Sequence, residues 1–94
     1  MNLNYEGYED YLLVRTDREF GGIQYVFKFD NGYGASVVKG FSTYGAADDL
    51  WELAVLHFDG DEWSITYNTP ITDDVIGYLT DEEVGEYLEQ IKNL

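Results

Sequence analysis

Across 94 residues the chain carries nineteen Asp and Glu against five Lys and Arg, a formal charge of −14, with no cysteine and one histidine. The missing cysteines exclude disulfides, thiol nucleophiles and thiolate metal sites together, and no apolar run approaches the roughly 18 residues of a membrane span. Acidic disorder is excluded as well: 45% of residues are hydrophobic and 17% aromatic, whereas disordered acidic segments lack the side chains that build a core.

At this length the expectation is one domain, residues 1–94, around a single core. Residues 1–10 show no convincing period and read as an irregular lead-in or a short helix. A short Leu- and Val-rich run at 11–16 ends in a polar turn over 17–22 that closes on a Gly pair. Ile23, Tyr25, Phe27 and Phe29 then alternate with Gln24, Val26 and Lys28, the period-two pattern of a strand with one buried face. Asn31-Gly32 supplies two residues tolerant of positive φ, which predicts a tight hairpin and an antiparallel return over 34–39. The Gly-rich segment 40–49 reads as a long loop displaying Phe41 and Tyr44. Residues 50–58 are apolar on both alternations, as in a central strand, and an acidic turn around Gly60 leads to Trp63, Ile65 and Tyr67 on a second hairpin partner.

Beyond Pro70, Thr72 reads as the cap of a short helical turn over 73–79. Thr80 with Glu83 is a capping box, and Val84, Tyr87, Leu88 and Ile91 follow at helical spacing. The other face of that helix carries Asp81, Glu82, Glu86 and Glu89. These elements predict an α+β fold, an antiparallel sheet of four or five strands with a C-terminal amphipathic helix packed on it.

Catalysis finds little support. His57 lies on the apolar alternation of its strand and reads as a core histidine, and Ser36, Ser42 and Ser64 lack the setting of a nucleophile. Asp73 with Asp74, or Asp59 with Asp61, offers oxygen ligands for Mg²⁺ or Ca²⁺, but a helix start and a hairpin turn account for both pairs. Neither Gly32 with Gly34 nor Gly40 with Gly45 has the lysine of a phosphate loop. The expectation is a non-enzyme without metal or cofactor.

What remains is the acid, which falls into clusters: Glu6, Glu9 and Asp10; Asp48, Asp49 and Glu52; Asp59, Asp61 and Glu62; Asp73 and Asp74; and Asp81, Glu82, Glu83, Glu86 and Glu89. Singly, each is a solvated turn or helix face. Together they make a field that opposes compaction and attracts a basic partner. Direct nucleic-acid binding is disfavoured, because phosphate contacts need more than Arg15, Arg18, Lys28, Lys39 and Lys92. Tyrosine, present nine times, is a favoured interface anchor.

Three stretches, NGYGASVV at 31–38, YGAADDLWELAVL at 44–56 and YNTPITDDVIGYLTDEEV at 67–84, resemble short acidic proteins encoded by bacteriophages and prophages. The resemblance implies a setting, a phage product in the cytoplasm of a bacterial host, and transfers no functional residues. Small anionic proteins of that kind resemble inhibitors of host nucleic-acid-binding machinery, including CRISPR effectors and restriction enzymes. The expected function is therefore inhibition of such a basic host protein by nucleic-acid mimicry. Its acidic surface would be Asp48, Asp49, Glu52, Asp59, Asp61, Glu62, Asp73, Asp74, Asp81, Glu82, Glu86 and Glu89, and its anchors Phe41 and Tyr44. No membrane is involved, and a homodimer is compatible with this reading. The alternative is an assembly module of a phage complex in which aromatic sheet edges pair.

Overall fold

Alternating apolar strands and one capped helix dictate the architecture seen in a computed structural model of the chain, which describes residues 3–17, 22–39, 50–71 and 74–94. A single 3-10 turn, Glu9–Tyr11, interrupts an otherwise irregular lead-in. Then come β1 (Leu12–Asp17), β2 (Ile23–Lys28), β3 (Tyr33–Lys39), β4 (Trp51–Asp59), β5 (Glu62–Ile65), β6 (Ile76–Leu79) and α1 (Asp81–Lys92). Strands β1 to β5 are neighbours in chain order and antiparallel, and β6 joins β4. The fold is α+β, with α1 packed on the sheet.

The two alternations of each strand serve two faces. On the helix-bearing face, Ile23, Tyr25 and Phe27, Ala35 and Val37, Trp51, Leu53 and Val55, and Leu79 enclose Val84, Leu88 and Ile91 of α1. All three helix residues are fully buried. The opposite face has a smaller cluster of Val26, Leu56 and Phe58. There Gly34 is required by close approach: a Cβ at this position would collide with the Phe27 carbonyl oxygen and stand 2.6 Å from Phe58 Cε1.

Strand β4 is central, as its two apolar alternations require. One edge pairs with β3, and the other is divided, Trp51 and Leu53 meeting β6 and Leu56 to Asp59 meeting β5. Over its described part, 74–79, this corrects the helical turn expected over 73–79, whose Thr72 cap lies outside the described residues. The short run from Val75 to Leu79 is apolar enough for either state, and the open half-edge of β4 decides for a strand that buries Leu79. A bulge in this pairing holds Tyr78 at φ 61°, a left-handed conformation that is rare for a bulky residue.

The first hairpin also differs from its expectation. Lys28 pairs with Gly34 and Phe29 N donates to Tyr33 O at 2.8 Å, so the loop has three residues, Asp30 to Gly32. Of these only Gly32 has positive φ, 86°. The reason lies outside the hairpin. Asn31 Oδ1 accepts from Tyr33 N at 3.0 Å, while Nδ2 reaches the terminal carbonyls of α1 at Ile91 (2.8 Å), Lys92 (3.1 Å) and Leu94 (3.3 Å). A helix leaves its last carbonyls without partners, and here a turn residue from the sheet supplies donors. At the other end Thr80 and Glu83 form the capping box, Glu83 N donating to Thr80 Oγ1 at 3.2 Å and Thr80 N to Glu83 Oε1 at 3.1 Å.

Candidate functional site

The N-terminal segment lies along α1 in the same direction. Asn4 N donates to Asp81 Oδ2 at 3.1 Å, Tyr8 hydroxyl donates to Glu89 Oε1 at 2.8 Å, and Lys92 Nζ sits 5.5 Å from the Tyr11 ring centre. Aromatic rings anchor the segment beneath: Tyr5 lies 5.4 Å from Tyr25, and Tyr11 lies 5.0 Å from Phe29. Leu3 is buried, and its N–H donates to the Tyr25 hydroxyl.

This packing brings together two acidic clusters far apart in sequence. Glu6, Glu9 and Asp10 are exposed on the segment, and Glu82, Glu86 and Glu89 are exposed on the outer flank of the helix beside it. Glu82 and Glu86, both exposed, are one turn apart, a spacing at which like charges repel. Other acids are engaged. Asp81 Oδ1 accepts from Trp51 Nε1 at 2.6 Å, which ties the helix start to the core, and Glu83 closes the cap.

Glu89 is held in place by Tyr8 and by Asn93 Nδ2, and these hydrogen bonds, that of Tyr8 first, hold its carboxyl below the ordinary range. Conversely, burial, then the hydrogen bond to Glu89 and its negative charge, push the Tyr8 hydroxyl up to about 12.

A further group lies at the turn end of the sheet. Asp30 in the β2–β3 turn and Asp59, Asp61 and Glu62 around the β4–β5 turn are exposed. Between the two turns lies an open depression of about 520 Å³ lined by Lys28, Phe29, Asp30, Gly32, Phe58 and Gly60. Lys28 Nζ donates to Gly60 O at 3.1 Å and lies 4.0 Å from Asp61. The ion pairs made between described residues are this one and Arg15–Asp17 at 3.3 Å.

The remaining predicted positions are dispersed. Glu52 is half-buried on the face opposite α1, and Asp74 is exposed before β6. Phe41, Tyr44, Asp48, Asp49 and Asp73 lie outside the described residues. Among the described residues no cluster of three or more His, Asp and Glu side chains is disposed to hold a metal ion.

His57 corrects its expectation. It shares the alternation of Trp51, Leu53 and Val55, yet it is exposed, packing on Tyr33 at 5.5 Å between ring centres. Its row of the sheet, Tyr33, His57 and Ser64, adds no buried member to the core under α1.

The face opposite α1 contrasts with all of this. Its described strand positions bear two charges, Lys28 and Glu52, and its outer members Val14, Trp63 and Ile65 are exposed apolar side chains. No protein-family model, curated protein or solved structure matches the chain.

Proposed function

We propose that this protein is a small phage-type acidic inhibitor that occupies the basic groove of a host nucleic-acid-binding or defence protein, of the CRISPR-effector or restriction kind, in place of nucleic acid. The observation that carries the reading is the packing of the N-terminal segment along α1, which sets exposed Glu6, Glu9 and Asp10 beside the flank bearing exposed Glu82, Glu86 and Glu89. Duplex DNA presents about one negative charge per 1.7 Å of axis, and carboxylates fixed on a helix and an adjoining segment compete for the same basic side chains. Such a surface steers association and makes it salt-sensitive, and it asks for no chemistry from the inhibitor. The setting follows from the resemblance of residues 31–38, 44–56 and 67–84 to phage-encoded acidic proteins.

The test is capture from bacterial lysate on the tagged protein, with competitor duplex DNA. A nucleic-acid-binding protein should be retained at low salt and released by DNA. Reversing Glu82 and Glu86 together to Lys should weaken its binding by about tenfold or more, roughly 1.4 kcal/mol. Retention that is undiminished at high salt, or that survives the double reversal, would overturn the reading.

A further inference from the structure

Strand β5 has one edge engaged and one that no described strand takes up. Asp59 pairs with Glu62 and His57 with Ser64, and Thr66 N donates to Val55 O at 2.9 Å, so Glu62, Ser64 and Thr66 turn their backbone groups toward β4. By alternation, Trp63 and Ile65 turn theirs outward, and Tyr67, two residues past the end of the strand, continues that series where the ladder is extended. Their side chains are 43%, 46% and 47% exposed.

An edge of this kind pairs with another chain unless something blunts it. The opposite edge of the sheet is blunted: β1 has a register shift between Leu12 and Val14 and a charged pair, Arg15 with Asp17. After Glu62, the short strand β5 has neither a register shift nor a charge, and residues 63–72 contain no charged side chain in a chain of net charge −14.

The geometry points to self-association through β5, two copies pairing antiparallel about a twofold axis at Ile65. In that register Ile65 faces Ile65 of the second copy, Trp63 faces Tyr67, Ser64 faces Thr66 and Glu62 faces Asn68. The outward backbone groups at 63, 65 and 67 fall at the hydrogen-bonded positions of an antiparallel ladder. The facing aromatic and β-branched pairs are those that stabilise such ladders, and no like charges face each other. A basic partner is drawn to the carboxylates near α1, whereas a second copy of this uncharged segment matches β5 in polarity and in register. The two helix-bearing faces then lie on the same side of one continuous sheet.

Pairing over five residues buries less than the roughly 1,200 Å² of a stable interface, so the dimer is weak and its population depends on concentration. It also brings together two chains of charge −14, so salt strengthens it. That sign is opposite to the salt response of binding to a basic partner, which separates the two surfaces experimentally.

Sedimentation velocity over a wide concentration range, at low and high salt, provides the test. A monomer–dimer equilibrium favoured by salt is expected. Ile65→Lys, which sets two cations face to face, should weaken it by about tenfold or more, and Ile65→Val should preserve it. A second readout does not depend on that variant: the chain has no cysteine, so mild oxidation of Ile65→Cys should give a covalent dimer, and of Val14→Cys on β1 should not. A monomer under every condition, association that weakens with salt, Ile65→Lys that associates as well as the parent, or equal cross-linking at Val14→Cys would overturn the proposal.

Discussion

Tyr8 and Glu89 make one contact that ties the N-terminal segment to the helix and sets a pH dependence at each end of the scale. The Tyr8 hydroxyl is raised from 10.0 to about 12, so its contribution is fully present below pH 10 and is lost as pH rises toward 12. Tyr8→Phe should therefore cost about 1 kcal/mol at pH 8, the net value of a hydrogen bond. The advantage of the parent over this variant should shrink between pH 10 and 12, as read from urea midpoints. An advantage that stayed constant through that interval would show that the hydroxyl titrates alike in the folded and unfolded chain. Glu89 has the opposite sign. Its lowered value stabilises the fold above the ordinary 4.5, and that contribution is lost as pH falls further.

At the scale of elements, α1 is held by two caps of different origin. The Thr80–Glu83 box is local, and its spacing alone made it legible in the sequence. At the other end Asn93 serves the Glu89 and Gln90 carbonyls locally, while Asn31, about sixty residues away, donates to those of Ile91 and Lys92, and nothing near residue 92 announces that second contact. Asn31→Ala should cost about 1–2 kcal/mol in chemical denaturation, no less than the roughly 1 kcal/mol expected for Thr80→Ala. A negligible loss for Asn31→Ala would mean that water satisfies those carbonyls equally well. The same contrast between local and distant information explains what was read correctly. Strands β2, β3, β4 and β5 follow from alternation and turn residues, and the acidic stripe of α1 from helical spacing. In the sequence β6 resembles a helical turn, because its identity depends on a half-edge of β4 more than twenty residues earlier. The convergence of Glu6, Glu9 and Asp10 with that stripe depends on the Tyr8–Glu89 contact, eighty-one residues apart, which no local period encodes.

For the molecule as a whole, the charge of the described residues is distributed with a bias. Acids crowd the helix, the N-terminal segment and the turn end, while the face opposite α1 has Lys28 and Glu52 alone among its described strand positions. With five basic side chains against nineteen acidic ones, self-repulsion dominates the response to solvent. Added salt should raise the melting temperature at pH 7, and so should mild acidification toward pH 5, before the loss of the Glu89 contribution reverses the trend at lower pH. A melting temperature that fell steadily from pH 7 to pH 5 would show that specific carboxylate contacts outweigh repulsion.

The division of the two faces also equips the protein with a pair of optical reporters. Trp51 is 1% exposed and bonded to Asp81 under the helix, while Trp63 is 43% exposed on β5. Emission from the first follows the undocking of α1 from the sheet, and emission from the second follows whatever covers the β5 edge. Trp63→Phe isolates the core indole, and the difference in emission between the parent and this variant reports the occupancy of the edge without attaching a dye.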